Sequence, residues 1–160
     1  MNEFIESREE MEQLLQDMTL GCLGVTEESG PYVVPLNYAY VDGRILFHCA
    51  LKGQKLEAIR QNPAVCFTVA RQRGDIQRHS EDVCHPDSES VICHGTARVI
   101  DDLDERTSVL NEFNHSFRPD ADPISADSVA RCGAVEIAVD EMTGRRELGR
   151  EVTCWRYRFR

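Results

Sequence analysis

The chain has 160 residues and a mass of 18.2 kDa, which fits one domain with a sizeable core and leaves two domains cramped. A hydrophobic fraction of 41% and a charged fraction of 29% exclude wholesale disorder, and a net charge of −10 with a pI near 4.9 argues against nucleic acid and anionic membrane surfaces, which both need a positive footprint. The start is charged and helical in pattern, and no signal-peptide core or membrane-length apolar run follows, so a cytoplasmic protein is expected.

Ser7 with Glu10 has the spacing of a capping box, and Met11, Leu14, Leu15 and Met18 recur at helical spacing, which predicts a first helix over about 7–18. CLGVTEESGPYVVPLNYAYVDGRILFHCA then gives three apolar runs separated by SGP and by Asp42-Gly43, the pattern of an antiparallel meander. Pro35 lies inside the middle run and has no N–H for a ladder, so that strand needs an edge, a bulge or a ligand at this point. GQKLEAIRQNP reads as a short helix ending before Pro63, and AVCFTVAR returns to strand.

Residues 72 to 89 are polar without a period and are expected to form a long loop. SVICHGTARVI follows as a strand, and DDLDERTSVLNEFNHSF as an acid-started helix with Leu103, Val109, Leu110 and Phe113 inward. RPDADPISAD is a connector, and GAVEIAVDEMTGR and EVTCWRYRF give the last two strands. About seven strands and three helices without a βαβ series predict an α+β fold with a small antiparallel barrel and peripheral helices. One domain over 1–160 is expected, with the barrel from about 20 to 159. The arginines near the C-terminus, in TGRRELGR and CWRYRFR, are interrupted by acidic residues and fit a solvated strand and turn.

Seven cysteines, an odd number placed mostly in apolar runs, suit reduced thiols better than a disulfide framework. No C-x-x-C occurs. In the dipeptides Cys84-His85 and Cys93-His94 the two side chains of a strand point to opposite faces, so no metal site is expected.

Lys52 and Lys55 are the only lysines in the chain and stand three residues apart in HCALKGQKLEAI. At a strand-turn-helix corner the first N–H groups of the helix point outward unpaired, Gly53 permits close backbone approach, and two ammonium groups supply countercharge, so Leu51-Lys52-Gly53-Gln54-Lys55 is a candidate phosphate site. No P-loop pattern is present.

The series GPYVVPLNY, DGRILFHCA, KGQKLEAI and NPAVCF resembles the flavin-binding split-barrel proteins related to pyridoxamine 5′-phosphate oxidase, and within them the nitroimidazole-resistance (Nim) branch. The likeness runs in order from about residue 20 to 70 and more loosely through SVICHGTARVI and VDEMTGR. It implies a split β-barrel and a homodimer with two interface sites, each holding FMN with its phosphate on the strand-helix corner. Lys55 matches the family's phosphate-binding lysine, Gln54 stands where the oxidase branch commonly has arginine, and Lys52 compensates. Val34, Pro35, Leu36 and Asn37 match the strand whose backbone borders the isoalloxazine and ribityl chain, and His48 and Cys49 match the next strand's flavin-facing pair. His48 also corresponds to the histidine of the branch's F-H-x-A motif, proposed to sit by substrate and cofactor. It is the candidate catalytic residue, against a histidine satisfied by hydrogen bonds alone. Cys49 reads as packing, with no base nearby in sequence. His85-Pro86-Asp87-Ser88-Glu89 gives a more acidic substrate-facing rim than the branch usually has.

The resemblance thus implies an FMN-dependent oxidoreductase of small molecules, such as a nitro-compound or quinone reductase. The alternatives are a non-catalytic flavin carrier, and a heme-binding relative with His48 or His94 as axial ligand, with FAD or heme in place of FMN.

Overall fold

The alternating runs of the sequence become nine strands and four helices in the computed structural model, which describes residues 4–73, 87–149 and 151–159. In chain order these are β1 (Phe4–Glu6), α1 (Glu9–Asp17), β2 (Leu20–Glu27), β3 (Gly30–Asn37), β4 (Ala39–Val41), β5 (Arg44–Cys49), α2 (Gln54–Gln61), β6 (Ala64–Arg73), β7 (Asp87–Val99), α3 (Leu103–Phe117), α4 (Ala126–Arg131), β8 (Gly133–Leu148) and β9 (Glu151–Arg158). One sheet runs β1-β9-β8-β7-β6-β2-β3, and β5 branches from it, pairing with β8 on one side and with short β4 on the other. All pairings are antiparallel except β1 with β9. The strands curl into a split barrel: β3 and β5 approach each other without pairing, and the gap between them is the split.

Tyr38 makes that split. The run expected as one middle strand breaks there, because its side chain is fully buried, its hydroxyl donates to Leu15 O at 2.7 Å and its N–H to Thr19 O at 3.2 Å. The chain thereby leaves β2 and turns into β4. Asp42 and Gly43, at φ 47 and 78, then close a tight hairpin between Val41 and Arg44, as a two-residue Asp-Gly turn requires. The inward residues Leu23, Val25, Ile45, Phe47, Phe67, Ile137 and Met142 fill the barrel with Leu56 and Ile59 of α2 and Met11, Leu14 and Leu15 of α1. A second apolar layer lies outside β4, β5 and the start of β8, where α3 and α4 bring Val109, Leu110, Phe113 and Val129 onto Ala39, Leu46 and Ala134.

Several expectations need correction. The capping box is not made: α1 starts after Arg8 without a side-chain cap, because the Glu10 carboxylate is taken by Arg146 at 2.9 Å. β1 and α4 are additional elements; α4 has only six residues, too few to show a period, and starts at Ser125, whose hydroxyl accepts from Ser128 N. Leu103 opens α3 and is 57% exposed, since the first turn projects past the sheet. The polar stretch over 72–89 is partly strand: β6 extends to Arg73, β7 starts at Asp87, and the two residues pair. The rest of that loop, with Cys84 and His85, falls outside the described residues. Glu89 is no rim carboxylate, being 2% exposed between Arg71 and Arg146 on the flanking strands. Among the described residues Cys22, Cys49, Cys66, Cys93 and Cys132 are free thiols, and Cys93 and Cys154 are buried. No helix among them is long and apolar enough to cross a membrane, and they contain no metal-holding cluster.

Candidate functional site

The sequence's candidate residues stand on three elements. β3 contributes Val34–Asn37, the end of β5 contributes His48 and Cys49, and the turn into α2 contributes Lys52, Gln54 and Lys55. Leu56 and Glu57 donate their N–H groups to Gly53 O, so the amides of Gln54 and Lys55 precede the first intrahelical bond, and no side chain caps the helix. Gly53 has φ 147 and nothing within 4 Å of where a Cβ would stand, which leaves this helix start open to a ligand. Among the described residues no carboxylate pairs with Lys52 or Lys55, whereas Arg44, Arg71, Arg98, Arg146 and Arg158 all have acidic partners. An open helix N-terminus beside two uncompensated ammonium groups attracts an anion. Gln54 is engaged elsewhere: its amide donates to Glu27 at 3.0 Å and ties α2 to the β2–β3 hairpin.

β3 is an edge strand, and its prolines shape that edge. Pro31 pairs with Thr26 and Pro35 with Cys22, positions of equal parity, so both take pairs whose polar backbone groups point away from β2 and neither leaves a gap in the ladder. The free edge therefore shows carbonyls at Pro31, Val33, Pro35 and Asn37, but N–H groups only at Val33 and Asn37. It suits a ligand rich in hydroxyl donors and resists pairing with another strand. Asn37 is held by its own amide, which donates to Thr19 O at 2.9 Å.

Alternation sorts the remaining candidates by face. Val34, Leu36 and Cys49 turn inward onto the barrel core, while Pro35, Asn37 and His48 turn outward and are exposed. Burial pushes the Cys49 thiol above its ordinary value, with Lys55 acting against it, so Cys49 is a packing thiol in a protonated state at neutral pH. His48 stands across from Ala134 on β8, and its ring meets Phe113 of α3 edge to face, with centroids 5.2 Å apart. The sequence marks Phe113 only as an inward helix position. The F-N-H-S-F spacing that also brings Phe117 to within 5.0 Å of it was the available signal.

Among the described residues no helix covers the outward face of β2, β3, β6 and β7. Leu20, Val33 and Ile92 are 56%, 61% and 39% exposed there, and a shallow groove of about 590 Å³ crosses it, lined among others by Cys22, Val33, Cys66, Thr68 and His94. None of the candidate flavin-binding residues lines this groove, whereas His94, the alternative heme ligand, does. His94 stands on the face opposite buried Cys93, as a strand dipeptide must.

The sequence profile of the pyridoxamine 5′-phosphate oxidase family matches residues 7–146. Among solved structures, a candidate 5-nitroimidazole antibiotic resistance protein from Bacteroides thetaiotaomicron superposes with a TM-score of 0.76 at 26% identity, covering 95% of this chain and 87% of that one. An FAD-binding protein from Mesorhizobium loti gives 0.68 at 23% identity over 89% of this chain and 96% of that one. The FAD and heme binding protein of Mycobacterium smegmatis gives 0.79 at 17% identity over 96% and 83%, a likeness of fold alone. An uncharacterised protein of Rhizobium meliloti (strain 1021) is 33% identical over 66 residues, which are 41% of this chain and 43% of that protein's length.

Proposed function

The chain belongs to the pyridoxamine 5′-phosphate oxidase family of flavin-binding proteins, and from that premise we propose that it is an FMN-dependent oxidoreductase of small molecules, with nitro compounds and quinones as the first substrate classes to test. The observation that carries this reading is the corner at the split, where the uncapped start of α2 lies beside two lysines without acidic partners in a chain of net charge −10. A phosphate dianion fits that corner, and the carbonyl-rich edge of β3 fits a ribityl chain. When bound, the flavin supplies the two-electron redox chemistry. Lys55 and Lys52 neutralise the phosphate, the β3 edge fixes the chain that leads from it, and His48 on the outward side orients or protonates a substrate.

In Lys55→Ala, FMN affinity is expected to fall about tenfold to a hundredfold, the effect of losing a charge-assisted contact, while riboflavin affinity changes little because it has no phosphate. Lys52→Ala should have the smaller effect. Equal losses for both ligands would assign Lys55 to the fold and overturn the phosphate site. The absorbance of the purified protein separates flavin from heme directly.

The bare apolar sheet face supports a homodimer in which a second copy covers it beside the split, since a patch with three large exposed hydrophobics is costly to leave in water. Light scattering should give twice 18.2 kDa. A concentration-independent monomer that still retains flavin would exclude a shared site.

A further inference from the structure

We propose that Phe113 is a positioning residue for His48: its ring fixes the imidazole at the outward rim of the split, so that the orientation of the candidate catalytic group is set by α3 rather than by the barrel. The proposal rests on the flavoenzyme reading above.

Three observations carry it. First, Phe113 is the ring in contact with His48, at 5.2 Å between centroids and 77° between planes, and among the described residues no side chain or backbone group hydrogen-bonds the imidazole. Second, Phe113 is the one aromatic ring in contact with His48 among the described residues. The residue paired with His48 on β8 is Ala134, whose methyl cannot hold a ring, and His48 itself is exposed. An exposed histidine otherwise samples several rotamers, and that freedom is lost only if something packs against it. Third, Phe113 is itself buried and packed. It is 7% exposed among Leu46, Val109, Leu110 and Ala134, and it leans on Phe117 at 5.0 Å. Its neighbour Glu112 takes two N–H groups from Arg44, which also bridges to Glu136 on β8, so the helix register that presents Phe113 is locked to β5 and β8. The contact therefore passes rigidity from the outer helix layer to a side chain that the barrel leaves loose.

The test compares two ring-less variants, Phe113→Leu and Phe113→Met, with the ring-keeping Phe113→Tyr, so that it does not depend on any one of them folding as stably as the parent. The first readout needs no turnover. Nuclear spin relaxation of the His48 ring in the purified protein should show lower order in both ring-less variants and parent-like order in Phe113→Tyr. The second is electron transfer from photoreduced protein to menadione, normalised to bound flavin. Ring-less variants should be about three- to tenfold slower at unchanged FMN affinity, the scale of one aromatic contact, and should cause no further loss in a His48→Gln background. Unchanged His48 order, or equal slowing with and without His48, would make Phe113 a packing residue and overturn the proposal. Failure of the flavoenzyme reading looks different, because the parent would then bind no flavin or pass no electrons to menadione, while the relaxation readout would still decide whether Phe113 holds His48.

Discussion

Glu89→Gln is expected to lower stability at pH 7 by about 3–5 kcal/mol, the usual result of removing one partner from a buried charge network, and Tm by roughly 6–20 °C for a chain of this size. Glu89 sits in a cross-strand row, directly opposite Arg71 on β6 and Arg146 on β8. One carboxylate oxygen accepts from Arg71 Nε and Arg73 Nε, both at 2.8 Å, and the other from Arg146. Arg146 lies over the Trp155 ring at 4.8 Å and reaches Glu10, while Arg71 reaches Asp17 at 3.2 Å, so the row fastens both ends of α1 to the sheet. Without the carboxylate three guanidinium groups would face one another with no central countercharge. Burial alone would raise the Glu89 pKa, but the hydrogen bonds from Arg71, Arg146 and Arg73 outweigh it and hold the carboxyl at about 2, well below its ordinary 4.5. A carboxyl depressed in the folded state stabilises fully above its unfolded pKa and loses that contribution as pH falls toward the folded value. Parent and variant melting curves should therefore converge between about pH 4.5 and 2. Curves that stay parallel over that window would remove Glu89 as the source.

Which features were legible in the sequence follows from how local their causes are. The Asp42-Gly43 hairpin, the short helix after Gly53 and the edge position of Pro35 depend on backbone chemistry within a few residues, and each appears where its residues indicate. The lysine corner was legible for the same reason, since strand, turn and helix start are contiguous. The Tyr38 break was not, because it depends on a hydroxyl reaching Leu15 O in a helix 23 residues earlier. Nor was β1, whose partner β9 lies at the other end of the chain, or the Glu89 row, whose Arg146 comes from 57 residues away. At the candidate site, alternation fixed that His48 and Cys49 point to opposite faces, but the choice between them depends on where the core lies. Cys49 packs on the barrel interior, and the helix layer over Leu46 and Ala134 places His48 outside.

That placement makes His48→Gln the most informative single substitution at the split. Glutamine keeps a donor and an acceptor but cannot serve as a proton donor near neutral pH, so if His48 protonates a substrate, electron transfer to menadione or a nitroaromatic should fall by about 10²–10⁴-fold. The structure also dictates what should stay constant. His48 is exposed, fills no part of either apolar cluster, and stands across from an alanine, so its loss opens no cavity and should leave Tm and FMN occupancy near those of the parent. Cys49 is no substitute, because burial keeps its thiol protonated and its side chain lies on the inward face. A drop in flavin occupancy and Tm with a parent-like rate per bound flavin would assign His48 a structural role. A lower rate at constant occupancy and unchanged Tm would assign His48 a role in turnover.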